Sequence, residues 1–113
     1  MWMNKDEALQ ERLRVIRKGF FRKLPSRLTR IEDNKNQWLQ SQDQEAYAAF
    51  YRDIHSLAGS ASTFGAEELG MQARELTNML KTFAQAPLPN ETQRQTIDAL
   101  LANLHQIVEA HVQ

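Results

Sequence analysis

The sequence predicts an all-α protein: an antiparallel up-and-down helical bundle with a four-helix core and an additional N-terminal helix. Three observations predict it. The 113 residues include only three prolines and four glycines, and they are rich in Leu, Ala, Gln, Glu and Arg, which favour helix. Apolar residues recur at helical spacing along the chain, and no two-residue alternation of the strand kind interrupts them. Helix-breaking or helix-starting residues fall between these runs, at Pro25, at Ser41 to Gln44, at Gly65 and in the "APLPN" stretch from Ala86 to Asn90.

Each element follows in order. Leu9, Leu13, Ile16 and Phe20 form the seam of a first helix. Pro25 is expected to open a second, because proline is tolerated in a first turn and breaks a helix interior. That helix carries Leu24, Leu28 and Ile31, with Trp38 and Leu39 further on. The "SQDQ" stretch resembles a capping box, so a third helix is expected to begin near Gln42 or Asp43. Its seam is Tyr47, Phe50, Tyr51, Ile54, Leu57, Ala58 and Ala61, and Gly65 ends it or joins it to the next. A fourth helix opens on Glu67 and Glu68, whose charge suits a helix N-terminus, and presents Leu69, Ala73, Leu76, Leu80 and Phe83. After the linker, Asn90 is a fitting N-cap for a fifth helix containing Ile97, Leu100, Leu101, Leu104, Ile107 and Val108.

Length sets one domain, residues 1–113, with a modest core. Lys plus Arg and Asp plus Glu number 14 each, so no overall basic excess points to nucleic acid. There is no cysteine, which excludes disulfides and thiolate metal sites and makes a cytoplasmic setting the expectation. The N-terminal "MWMNKDEALQ" is not a signal peptide, and no apolar run is long enough to cross a membrane. His105 and His111 lie six apart on one helix, whereas helical metal-ligand pairs usually sit four apart, so no metal site is expected there. The cations Arg12, Arg14, Arg17, Lys18, Arg22, Lys23, Arg27 and Arg30 spread around the polar sides of the first two helices. They read as a solvated face, with attraction to an acidic partner as the functional alternative.

The passage "YRDIHSLAGSASTFGAEELG" places two glycines, Gly59 and Gly65, in what reads as a helix, although each costs about 1 kcal/mol relative to alanine. His55 lies about 100° from the seam centre, on the flank of the helix, sharing its strip with Ala48, Arg52, Gly59 and Ser62. Gly59 therefore leaves open the space beside the imidazole for a bulky partner. The competing reading is that Gly59 and Ala61 let another helix of the bundle pack closely. Neutral imidazole, with an ordinary pKa of about 6.5, keeps a lone pair available for attack on phosphorus at neutral pH. No P-loop lysine accompanies the "GSASTFGAE" stretch, so an ATP site is not expected.

The string "HSLAGSASTFGAEEL" resembles the signature of histidine phosphotransfer (HPt) domains, matching it at His55, Leu57, Gly59, Ser60, Ala61 and Gly65. "FFRKLPSRLTRIE" and "GAEELGMQARELTNML" resemble the segments that flank that signature. The resemblance implies that His55 accepts a phosphoryl group from the aspartate of a response-regulator receiver domain, or from a sensor or hybrid histidine kinase, and passes it to another receiver. It implies a cytoplasmic bacterial two-component system, with magnesium on the receiver and no cofactor on this chain. Arg52, Ala58, Gly59 and Ser62 form the expected phosphoryl neighbourhood, and Ala48, Tyr51, Arg52, Gly59 and Ser62 the expected docking face. Two positions depart from the family pattern. The lysine usual three residues after the histidine, which helps hold or neutralise the phosphoryl group, is Ala58. The slot on the next helix where many members carry a Gln or Glu bonded to the imidazole is Thr77. Arg52, one turn before His55, is expected to replace the lysine in part; the alternative is a solvated surface charge. The runner-up function is an HPt-like interaction module that binds a receiver without carrying phosphate. The resemblance leaves open whether the domain stands alone or belongs to a larger signalling protein.

Overall fold

A computed structural model describes residues 4–83 and 88–112. Four helices make it: α1 (Lys5–Ser41), α2 (Gln44–Thr63), α3 (Glu67–Leu80), followed directly by a 3-10 turn (Lys81–Phe83), and α4 (Glu91–Val112). No strand occurs among the described residues. Each helix starts where local chemistry permits. The Asn4 side chain accepts from the Glu7 amide at 2.7 Å, and Asp43 accepts from the Glu45 and Ala46 amides at 3.0 and 3.2 Å. Asn90 and Gln93 exchange reciprocal side-chain to backbone bonds, both 2.8 Å, which makes a full capping box. The cap before α2 is thus Asp43, and Gln42 just ahead of it takes the left-handed conformation (φ 54°) that turns the chain. Ala86 and Pro87 of the expected linker lie outside the described residues.

Pro25 does not start a helix. It sits inside α1, which runs through it without a break. An interior proline loses one helical hydrogen bond and crowds the preceding turn, at about 3 kcal/mol. Tertiary packing offsets that cost. Phe21 and Leu24 before the proline, and Leu28, Ile31 and Trp38 after it, are all buried in one core, and only an unbroken helix keeps them on one stripe. Pro25 itself faces solvent. The expected first and second helices are therefore the two halves of α1.

The N-terminal half projects beyond the bundle. At 1.5 Å per residue α1 is about 55 Å long against about 30 Å for α2, and the molecule measures 61 × 25 × 21 Å. Leu9, Leu13 and Ile16, expected as a seam, are 53%, 43% and 50% exposed. The core begins at Phe20 and Phe21, where Phe20 meets Phe64 with ring centroids 4.9 Å apart.

The remaining seams are buried as expected, except that Leu39, Tyr51 and Ile107 are only partly buried. Trp38 lies at the centre, with the rings of Tyr47, Phe50 and Phe83 at 5.0, 6.0 and 5.9 Å. Between α2 and α3 the chain reverses in a Schellman-type turn: the Ala66 amide donates to the Ala61 carbonyl at 2.8 Å, and Gly65 sits at φ +75°. Only glycine takes that conformation without strain.

Candidate functional site

The turn at Gly65 folds α3 back along α2, so residues counted outward from it in both directions face one another. Small residues set the distance. A Cβ built on Gly70 would lie 3.5 Å from the Ala58 carbonyl oxygen and 3.5 Å from the Ala61 Cβ. The close packing expected of Gly59 and Ala61 is thus made by Ala61 with Gly70. Gly59 takes no part in it: a Cβ there would meet nothing within 4 Å.

His55 is exposed on α2, at the meeting of two open grooves. The first is lined by Tyr47, Ala48, Tyr51, Arg52, His55 and Lys81. The second runs between α2 and α3 and includes His55, Ala58, Gly59, Arg74, Thr77 and Lys81. No carboxylate lines either groove. The imidazole lies nearly parallel to the Tyr51 ring (5°) with centroids 6.0 Å apart. Tyr51 is in turn 6.3 Å from Tyr47, whose buried hydroxyl donates to the Leu80 carbonyl at 2.6 Å. Burial, with Tyr51 second, raises the Tyr47 phenol above its ordinary pKa. This aromatic file anchors the histidine's side of α2 to the end of α3.

Among the described residues neither ring nitrogen of His55 has a hydrogen-bond partner. Thr77, expected from the resemblance to stand in the Gln or Glu slot, is 3% exposed and donates its hydroxyl to the Ala73 carbonyl of its own helix at 2.8 Å. It lines the second groove without bonding the imidazole. On the far side, α1 holds α2 in place. Arg30 pairs with Asp53 at 3.1 Å, and Arg27 donates to the Ser56 hydroxyl at 3.0 Å. Burial lowers the Arg27 pKa, partly countered by Asp53.

The expected site residues thus divide. Ala48, Tyr51 and Arg52 share the first groove with His55; Ala58 and Gly59 share the second; Ser62 is exposed and lines neither. Ala58 is 7% exposed, with its carbonyl against Gly70. Three residues that motif reading passed over, Arg74, Asn78 and Lys81, reach the site from across the α2–α3 pair, and Lys81 lines both grooves. Only Arg74, nine residues after Gly65 against ten before it for His55, could have been found by counting outward from the turn; Asn78 and Lys81 lie farther along.

The remaining histidines lie elsewhere. His105 contacts Glu32 on α1 at 3.3 Å, and His111 stacks on Phe21 at 4.4 Å. No group of three or more His, Asp or Glu side chains suited to a metal ion occurs among the described residues. No described helix is long and apolar enough to cross a membrane.

Comparison with known families gives one match: the family model described as the Hpt domain fits residues 15–110. No curated protein and no solved structure matches.

Proposed function

We propose that this chain, which belongs to the Hpt domain family, carries a phosphoryl group on His55 between receiver domains of a two-component phosphorelay. Family membership places it in phosphotransfer signalling as a carrier. The observation that supports His55 as the acceptor is its setting: an exposed imidazole with both ring nitrogens unbonded, between two grooves without carboxylates.

In the transfer, an imidazole lone pair forms a bond to phosphorus as the acyl phosphate P–O bond of the receiver breaks. The aspartate leaves as carboxylate with the bonding pair, and the other ring nitrogen keeps its proton. Such reactions depend on positioning and charge stabilisation far more than on covalent assistance. The receiver supplies its aspartate and its magnesium ion; this chain supplies the nucleophile and a docking face built from Ala48, Tyr51, Arg52 and Gly59. The reverse step delivers the group to a second receiver. A sensor or hybrid kinase charges the relay upstream. The 113 residues act as one cytoplasmic module without an ATP site.

Mixing the protein with a phosphorylated receiver domain tests this. Acid-labile, base-stable label should appear on the wild type and vanish in His55→Gln, with helicity by circular dichroism unchanged. Equal labelling of the variant refutes the assignment. Ala58 at the family's lysine position favours a second reading, a receiver-binding module that carries no phosphate. That reading predicts receiver binding with no label on the wild type.

A further inference from the structure

Motif reading leaves the site without its usual cation, yet three cations share its grooves. Arg52 lines the first groove, Arg74 the second, and Lys81 both. Elsewhere three cations are paired, Arg14 with Glu11, Arg30 with Asp53, and Lys35 with Glu32 and Asp98, while most of the others are, among the described residues, as free of an ion pair as these three. Among the described residues Lys81, Arg74 and Arg52 enter no ion pair. All three are exposed at the histidine's rim.

Position separates the three. Arg52 lies one turn toward the N-terminus of α2 from His55, and helical side chains lean toward that end, away from the imidazole. Arg74 lines only the groove between α2 and α3. Lys81 stands where α3 passes into its 3-10 turn and lines both of the grooves that His55 lines. Its ammonium offers three donors on a flexible stem, which suits a group whose oxygens move during transfer.

We propose that Lys81 is the cation that steadies the phosphoryl group on His55, taking from α3 the role that the family's lysine plays from the histidine's own helix, with Arg74 as a weaker contributor. This rests on the carrier reading above. Lys81 binds the non-bridging oxygens of the dianion, offsets their charge as the imidazole approaches, and slows hydrolysis of the phosphohistidine once formed. Arg52 is left to the docking face.

The test uses phosphoramidate, a small donor that needs no receiver. Imidazole attacks its phosphorus, the donor's P–N bond breaks, and ammonia leaves from the protonated amine. Labelling of the full chain is followed by intact mass for wild type, Lys81→Gln, Lys81→Arg and Arg74→Gln, alongside thermal melts. Lys81→Gln should slow labelling and speed loss of the label by about fivefold, the size of an exposed charge contact. Lys81→Arg should restore most of both rates, and Arg74→Gln should cost about twofold. All melts should coincide. Wild-type rates in Lys81→Gln, or an Arg variant as slow as the Gln variant, overturn the proposal while leaving His55 as carrier. Absence of label on the wild type overturns the carrier reading and this proposal with it.

Discussion

Replacing Gly59 separates a glycine kept for packing from one kept for access. A Cβ at this position meets nothing within 4 Å, so Gly59→Ala neither fills a cavity nor creates a clash. What remains is the backbone contribution. Glycine in a helix interior is about 1 kcal/mol less favourable than alanine. For a domain of this size that converts to a melting temperature higher by roughly 4 °C. Gly59→Gln should stabilise almost as much, because Gln is nearly as good a helix former. Its longer side chain, however, enters the groove beside His55. Thermal melts by circular dichroism measure the first effect. Labelling rates with two donors measure the second: Gly59→Gln should accept phosphoryl groups from phosphoramidate at the wild-type rate and from a receiver domain markedly more slowly. Lower melting temperatures in both variants would refute the reasoning, since they would mean that another element packs on Gly59. Undiminished transfer from the receiver to Gly59→Gln would remove Gly59 from the docking face.

The other expectations concern the scaffold. Gly65→Ala should cost about 1–2 kcal/mol, the strain of a Cβ in the left-handed region, read as a lower urea midpoint; the Arg17 guanidinium, 3.4 Å from the new Cβ, is flexible enough to move aside. Stability should fall above about pH 10. The Tyr47 phenol is raised by burial, so its contribution is complete below the ordinary value and is lost as pH rises through the higher folded value. Lys35 acts in the same sense: burial lowers its pKa, but bonds to Glu32 and Asp98 outweigh burial and leave it raised. Tyr47→Phe should remove part of the alkaline decline and cost about 1–3 kcal/mol at neutral pH by stripping the buried Leu80 carbonyl of its donor. An urea midpoint that stays level into strong alkali would contradict both assignments.

Much of the fold was legible because its signals are local. The Asn90 cap, the Glu67 start and the turn at Gly65 each depend on a few adjacent residues, and each stands where the sequence places it. Pro25 misled because a local rule met a distant compensation. The burial of Phe21, Leu24, Leu28 and Ile31 on one stripe is a property of the whole bundle, invisible to a window around the proline. Leu9, Leu13 and Ile16 misled for a related reason: periodicity identifies a face of a helix but not what covers it, and the partners of α1 end near Phe20.

The candidate site follows the same division. His55 and Gly59 were readable from their helix alone, because flank position and the absence of a side chain are properties of one element. Arg74 and Lys81 were not, because they come to the histidine's grooves from α3 and the turn after it, through the register of two helices. That register also gives a reason for the altered motif. Ala58 lies against Gly70, where α2 and α3 come close enough for a Cβ on Gly70 to reach the Ala58 carbonyl at 3.5 Å. Ala58 is itself only 7% exposed, so a lysine there would have to carry its stem out of buried surroundings before its ammonium reached water. Small residues at 61 and 70 bring α3 close to α2, and Lys81 at the end of α3 lines both grooves. The proposed exchange of a lysine on α2 for Lys81 after α3 thus goes with a close contact between the two helices.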